Sequence, residues 1–532
     1  MSFTKELFVA VSEFLIFTSF IVLLYVLRFY YDYFTRSASY PGPFPLPIIG
    51  NLHQYYYHQH DIPHWLHQLS LKYGDIFELY FGTNKYLMVS DVRIVERIMT
   101  SKKDSNYFVR VATKTGLDDL QRGSVAILYN ANFHSWSYVR KVFFRVVGSA
   151  NALRAAATLV NTVFGNLEKL WDNLIKERGQ CLDSKQERSV EVDLVCWSKR
   201  VFAEIIMLLT AGQQPNLLSN YYDRIIGDNI QKNADEDFLD RFSIASDCVQ
   251  YYITVPPVIR NIPIIRRYTK YLHNNLMWTR NYACNLVKER RKEIKNLGIG
   301  EKSASNVLNI LLPSNGIPNE NDKISLTDEE IGDNIVEMFS EGIDSPSNTL
   351  AFIIHCVGAN PDVERSIIQE IKNVFGDLTD LVITYEDLNK LVYIEAVIKE
   401  VLRLRPATLT ISRFSAHRDQ FDGYEIPSST QIAINVVGLH RNQNYWNEPE
   451  NFNPSRFLED NIGKNYNKNA FMYFGGGLRV CPAKQFAMVQ LKMMVVLLYS
   501  KYTFEVTTKD PSTNYNVNLQ CKELMTRIKH RR

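Results

Sequence analysis

The chain is poor in several features that would narrow its function at once. None of its seven cysteines stands in C-x-x-C spacing, and a scattered, odd-numbered set supplies neither a disulfide framework nor a zinc site. Such usage fits a reducing compartment. Charge of one sign is scarce too: a net charge of +3 over 532 residues is too small to recruit nucleic acid. There is no internal repeat and no linker inside the body, so length alone does not divide the chain into several folding units. What is present is apolar bulk, 46% of residues, enough to bury a large core.

The first long apolar run is Leu7 to Leu27, interrupted by Glu13 and a few hydroxyl residues. About twenty helical residues match a bilayer core of roughly 30 Å, so this run is expected to span a membrane. A cleaved signal peptide is the rival reading, but no small-x-small site follows. The aromatics between Arg28 and Arg36 fit an interfacial belt. Next comes Tyr40-Pro41-Gly42-Pro43-Phe44-Pro45-Leu46-Pro47, which can be neither helix nor central strand and reads as a stiff spacer. The expected organisation is an anchor at 1–27, an interfacial and proline-rich hinge at 28–51, and one catalytic body at 52–532.

The most informative stretch is Phe474-Gly475-Gly476-Gly477-Leu478-Arg479-Val480-Cys481-Pro482-Ala483. A glycine run cannot be helix interior, whereas the apolar residues after Pro482 read as a long buried helix. Proline suits the first helical position, which puts Cys481 at the N-cap. There the dipole and free N–H groups are expected to bias the thiol toward the metal-binding thiolate.

This F-x-x-G-x-R-x-C stretch resembles the haem-binding loop of the cytochrome P-450 superfamily in its microsomal, membrane-anchored form. The resemblance implies a mainly α fold, a large helical domain with a smaller β-sheet-containing one and haem b between two helices. It makes Cys481 the axial iron ligand, pairs Arg479 with a haem propionate, and places Phe474 and Gly477 beside the sulfur. Ala483 stands where the family usually has glycine.

Other motifs follow in the family's order. Trp136 and Arg140 are four apart on one helical face. Alone they read equally as a stacked surface pair, while the resemblance has both donate to propionates. Glu341-Gly342-Ile343-Asp344-Ser345-Pro346 places Gly and Pro four residues apart, so a local helix kink is expected. By resemblance Gly342 makes room for oxygen, and Asp344 and Ser345 are the acid and alcohol of a proton relay. Ser345 replaces the usual threonine and Pro346 a second one. Glu341 stands where fatty-acid hydroxylases of the family often carry an ester-linked glutamate; a solvated or hydrogen-bonded Glu is the alternative. Glu400 and Arg403, with Arg456 of Asn453-Pro454-Ser455-Arg456-Phe457, match the E-x-x-R and P-x-R-F elements and imply a buried network.

Strands are expected at 77–81, 86–90, 424–427 and 431–435, mostly helix from Ala152 to about Leu297, and a surface loop from Asn315 to Asp328. Residues 407–412 are expected along the substrate cavity, and the proline-broken 252–265 either in the core or dipping into the bilayer. Lys141, Arg145 and Lys484 form a basic patch for an electron donor or are merely solvated charge. The resulting expectation is a haem-thiolate monooxygenase of apolar small molecules in the endoplasmic reticulum membrane, single-pass with a cytoplasmic body. The implied partners are an NADPH-dependent flavoprotein reductase and cytochrome b5. A thiolate-haem isomerase or dehydratase of oxygenated lipids and a non-enzymatic haem sensor are the alternatives.

Overall fold

The computed structural model describes residues 2–531 apart from 37, 83, 101, 103–104, 112–117, 121–125, 182–187, 213–214, 228–233, 298–305, 315–325, 377–380, 422, 459–466 and 517. Helix α1 (Ser2–Phe34) is a single element. Its apolar window, Ser12–Phe34 with a mean hydropathy of 1.9, is long enough to cross a membrane and is left uncovered by the body. The aromatics after Arg28 are the last turns of the same helix.

Beyond α1 the chain is stapled down immediately. Arg36 pairs with the buried Glu78 at 3.0 Å, and Tyr30 stacks on Phe44 with ring centroids 5.2 Å apart. The proline-rich stretch lies against strand β1 (Ile76–Phe81). The Glu78 N–H donates to the Pro41 carbonyl at 2.8 Å, and the Tyr80 N–H donates to Asn51 Oδ1 at 2.9 Å. A Cβ on Gly42 would stand 2.2 Å from the Glu78 carbonyl oxygen, so only glycine permits this approach.

Strand β1 pairs antiparallel with β2 (Asn84–Val89), where the apolar and aromatic stretches at 77–81 and 86–90 are expected to be strands. The body continues through α2 (Phe133–Val147), α3 (Ala150–Arg178), strand β3 (Arg188–Asp193), α4 (Leu194–Ala211), α5 (Ala234–Thr254) and α6 (Pro263–Leu297). Then come α7 (Asp328–Gly358), α8 (Val392–Leu404), strands β4 (Thr410–Phe414) and β5 (Gln431–Asn435), α9 (Lys484–Lys501), and strands β6 (Tyr502–Val506) and β7 (Met525–His530). One sheet has the order β1-β2-β5-β4; a second joins the short strand Gln180–Cys181 to β3, β7 and β6. That second sheet interrupts a region whose sequence pattern predicts mostly helix. The expected surface loop 315–328 lies largely outside the described residues, and its end, Asp328, already belongs to α7.

Helix α7 organises the core. Thr327 and Glu330 close a reciprocal capping box at its start, with Asp328, Glu329 and Glu330 at the positive end of the dipole. The helix packs on α4 and α6 and also meets α8 and α9. Ile335, Phe339, Ile343, Leu350 and Ile353 are fully buried. Each contributes ~1.5–3 kcal/mol relative to an exposed position. Asn334, Glu337, Asp344, Asn348 and Thr349 are buried on the same helix. Polar groups at that depth need partners, and they locate the site.

Candidate active site

The cysteine loop is shaped by two left-handed glycines, Gly475 at φ +73° and Gly477 at φ +63°. A Cβ on Gly477 would sit 2.4 Å from the Met99 carbonyl oxygen and 2.5 Å from that of Thr100. The Cys481 N–H donates to the Phe474 carbonyl at 3.0 Å, which folds the sulfur back over Phe474. Helix α9 begins at Lys484 with Ala483 in the cap position, so Cys481 is not the N-cap that the sequence predicts. The backbone turns at Pro482-Ala483 first, and the first helical bond runs from Ala487 N–H to Ala483 O. The thiol is not shifted toward thiolate either. Burial pushes it up, against the lowering effect of the Ala483 N–H; Glu341 adds to the rise, while Arg110 and Arg140 oppose it. A buried sulfur of this kind becomes thiolate when a metal cation binds it.

The Cys481 loop and α7 enclose a cavity of about 380 Å³. Cys481, Phe474, Arg479, Trp136 and Arg140 line it from one side; Glu341, Gly342, Ser345 and Pro346 line it from α7. Ala407, Thr408, Thr410, Ile411 and Ser412 also line it, in line with the sequence reading.

Three guanidinium groups, those of Arg479, Arg140 and Arg110, line the cavity, and a fourth, that of Arg413, lies behind them against Met99. Arg479 donates to the carbonyls of Asn130 (2.9 Å), Leu128 (2.7 Å) and Ile127 (3.2 Å). Its guanidinium carbon stands 4.9 Å from the ring centroid of Phe108 and 5.0 Å from that of Trp136, and Arg140 stands 5.3 Å from the same Trp136 ring. The other two, Arg110 and Arg413, belong to no sequence motif; the reading of 407–412 stops one residue short of Arg413. Arg110 donates to the Arg479 carbonyl at 3.0 Å and keeps its Nε buried without a partner. Among the described residues none of the four is in an ion pair. Burial, then the charges of Arg110 and Arg413, push Arg479 down to about 8; burial and Arg110 push Arg413 down to about 9. Four clustered cations, Arg413 and Arg479 buried and Arg110 and Arg140 half-buried, together with an orphaned donor fit a dianionic group such as the two propionates of haem.

Helix α7 is one continuous element through Gly342 and Pro346, the residues at which a local bend is expected. Pro346 supplies no N–H to the Gly342 carbonyl, and side chains bond the carbonyls just beyond: Asn348 Nδ2 donates to Asp344 O at 2.6 Å and Thr349 Oγ1 to Ser345 O at 2.7 Å. A Cβ on Gly342 would come within 2.8 Å of Ile206 on α4, so this glycine also permits the helix crossing. Ser345 Oγ donates to the Glu341 carbonyl at 2.6 Å. Asp344 does not join Ser345 in the cavity lining. It points toward α4 and pairs with Lys199 at 3.2 Å. Glu337, which no motif announces, accepts from the Leu128 N–H at 2.6 Å, and Asn334 Oδ1 accepts from the Ile127 N–H at 3.0 Å. Helix α7 therefore holds the segment whose carbonyls hold Arg479.

The expected network behind the loop is present. Glu400 bonds Arg403 through both oxygens (2.8 and 2.9 Å) and Arg456 at 3.0 Å, all three residues being buried.

A glycine loop presenting a buried sulfur to a polar, buried helix, beside a cluster of unpaired guanidiniums, defines a haem-thiolate protein. The comparisons carry this further. The family model for cytochrome P450 matches residues 40–529. Cytochrome P450 3A17 of Cavia porcellus is 26% identical over 488 residues, covering 91% of this chain and 89% of that protein. Tabersonine 16-hydroxylase 2 of Catharanthus roseus is 26% identical over 478 residues, covering 88% and 86%. The heme domain of cytochrome P450DA superposes with a TM-score of 0.75 at 19% identity, over 93% of this chain and 98% of that one, which speaks for the fold. The chain belongs to the cytochrome P450 family. It is a monooxygenase that uses haem iron with a cysteine thiolate ligand and draws electrons from NADPH through a reductase.

Proposed function

We propose that the chain hydroxylates an apolar small molecule, of the size of a lipid or fatty acid, that reaches the site from a membrane. The observation that carries this is the course of the cavity. From Cys481 it extends past Leu79, Phe81 and Tyr55 to Ile253 and Thr254 at the end of α5. Just beyond, Val258, Ile264, Tyr268 and Tyr271 are exposed apolar side chains, Ile264 being 85% exposed. Of the two readings of 252–265, these exposures favour contact with the bilayer, and Arg266, Arg267 and Lys270 beside them suit anionic headgroups. Helix α1 would anchor the chain in the endoplasmic reticulum membrane as a single pass, with the body in the cytoplasm.

In this reading Cys481 is the axial ligand, and Arg479, Arg140, Trp136, Arg110 and Arg413 hold the propionates. The thiolate-ligated haem supplies the oxygen activation that inserts one oxygen atom into a C–H bond. The chain's own task is positional. Ser345 donates its O–H to the Glu341 carbonyl and so turns lone pairs, not a donor, toward the cavity. Asp344, held by Lys199, serves as the acid one residue away. Glu341 is the candidate for an ester to the haem; acid-acetone extraction that removes all haem would rule the ester out. Exposed Lys141, Arg145 and Lys484, with the half-exposed Phe144 between the first two, form the docking face for the reductase and cytochrome b5.

A second reading, isomerisation or dehydration of an oxygenated lipid, is favoured by one observation: Asp344 lies outside the cavity lining, so acid and alcohol do not face the substrate together. Turnover of candidate lipids with NADPH and reductase is compared with turnover on the hydroperoxide alone. Oxygenated product that requires NADPH supports the monooxygenase; turnover confined to the hydroperoxide overturns it.

A further inference from the structure

The buried ion-pair network and the cysteine loop are far apart in sequence, yet one side chain touches both. His440 is fully buried, with its ring between Trp446 and Phe471 at centroid distances of 6.3 and 5.4 Å. Its Nε2 is 3.0 Å from the backbone nitrogen of Met472, and its Nδ1 is 3.1 Å from the carbonyl oxygen of Arg403. An amide N–H can only donate, so Nε2 must be the bare, accepting nitrogen. The hydrogen then sits on Nδ1 and points at the Arg403 carbonyl. The geometry thus fixes one neutral tautomer. Burial, then the neighbouring Arg403 charge, lowers the ring's pKa to about 3, so this tautomer persists throughout the neutral range. Arg403 answers by donating from Nη1 to the His440 carbonyl at 2.8 Å, which locks the two residues in both directions.

Met472 opens the turn that carries the sulfur. Its carbonyl accepts from the Gly475 N–H at 3.1 Å, and two residues on, the Phe474 carbonyl accepts from the Cys481 N–H at 3.0 Å. A shift of Met472 therefore passes through two short hydrogen-bonded turns to Cys481.

We propose that His440 is a positioning residue that ties the cysteine loop to the Glu400–Arg403–Arg456 network and so fixes where the sulfur stands. It touches neither substrate nor haem; it acts through Met472. The inference rests on Cys481 as the haem ligand.

Two amide substitutions separate this role from general support of the core. His440→Gln reaches the Nε2 position and keeps an acceptor for Met472 N–H. His440→Asn reaches only the Nδ1 position and keeps the bond to the Arg403 carbonyl while losing Met472. Both place the same chemical group in the same hole, so a role confined to core stability treats them alike. The haem-loaded full chain is reduced and exposed to carbon monoxide, and the change from the thiolate form absorbing near about 450 nm to the form near about 420 nm is followed in time. Hydrogen exchange of the Met472–Gly475 amides is measured on the same preparations. The expected result is that His440→Asn loses the thiolate form at least tenfold faster than wild type and exchanges Met472 faster, while His440→Gln stays within about threefold on both. Equal behaviour of the two variants in decay and exchange overturns the proposal. So does a decay that simply tracks each variant's unfolding temperature. If the wild-type protein gives no thiolate spectrum, the haem reading fails, and the exchange contrast still tests the link.

Discussion

Replacing Glu400 by Gln gives the sharpest test of how the haem-side core is held. Glu400 Oε1 receives Arg403 Nη2 (2.9 Å), Arg456 Nε (3.0 Å) and the Asn453 N–H (2.9 Å), and Oε2 receives Arg403 Nε (2.8 Å). A glutamine amide can accept on one side only. Its NH₂ then faces at least one guanidinium N–H, and two buried cations lose their counter-charge. They are not abandoned entirely, because Arg403 also donates to the carbonyls of His440, Pro449 and Asn451, and Arg456 to those of Asn447, Glu448 and Asn451. Breaking a buried pair from one side costs about 3–5 kcal/mol, and with two cations stranded the upper part of that range applies. At about 2.1 cal/mol/K of unfolding entropy per residue, a body of roughly 480 residues changes Tm by about 1 °C per kcal/mol, so the expected drop is about 4–5 °C. Scanning calorimetry on the haem-loaded protein reads this directly. An E400Q protein melting within about 1 °C of wild type would refute the claim that this carboxylate balances two buried charges.

Other substitutions test separate parts of the site. Gly477→Ala puts a methyl 2.4 Å from the Met99 carbonyl oxygen at a positive φ; a loss of about 2–4 kcal/mol and of most haem absorbance is expected on purification. Arg413→Met removes one of the four crowded cations. Its haem-free form should melt no lower than wild type while haem transfer to apomyoglobin speeds up about tenfold, and slower transfer would contradict the propionate assignment. Asp247 has its carboxyl pushed up to about 6 by burial, against the lowering effect of Lys199 and reinforced by Asp344. Between 3.8 and about 6 the native state binds more protons than the unfolded chain, so this residue's contribution to stability falls as pH rises through that window. Asp247→Asn is immune, and its advantage over wild type should grow from pH 4 to about 7 and level off at about 1–3 kcal/mol. Equal melting differences at pH 4.5 and about 8 would show that no such shift exists.

Local patterns carried the sequence reading furthest. The cysteine loop, Glu400 with Arg403, and the strands at 76–81 and 431–435 depend on residues near one another in the chain, where spacing dictates geometry. Arg110 and Arg413 come from an irregular segment and a strand with no signature, and only the tertiary fold places them beside Arg479. The position of Asp344 was legible in principle. Adjacent helical residues point about 100° apart, so Ser345 facing the cavity turns Asp344 toward a neighbouring helix. The cap at Cys481 failed for a local reason: the bond from Cys481 N–H to Phe474 O and the turn at Pro482-Ala483 delay the helix by two residues. The second sheet pairs β3 with β7, strands more than three hundred residues apart, and no local period announces such a partner.

The cysteine loop is suspended from two sides, and this makes the substrate face and the sulfur face one mechanical unit. From the cavity side, Asn334 and Glu337 of α7 hold the N–H groups of Ile127 and Leu128, and the carbonyls of that same segment hold Arg479, two residues before the sulfur. From the opposite side, Glu400 holds Arg403, whose carbonyl holds His440, which holds Met472, two residues before Phe474. Both lines run through buried side chains, Asn334, Glu337 and Arg479 in one and Glu400, Arg403 and His440 in the other, so slackening either leaves an unsatisfied group at a cost of about 1–3 kcal/mol. A displacement of α7 at Glu337 therefore reaches Arg479 through two hydrogen bonds, one at the Leu128 N–H and one at the Leu128 carbonyl. Glu337 lies about one helical turn before Glu341 and just over two before Ser345, so the same helix carries a hydroxyl that lines the cavity and the carboxylate that holds the segment under Arg479. Pro346 deletes one rung of its backbone ladder, the bond to the Gly342 carbonyl, and the helix continues past it as one element.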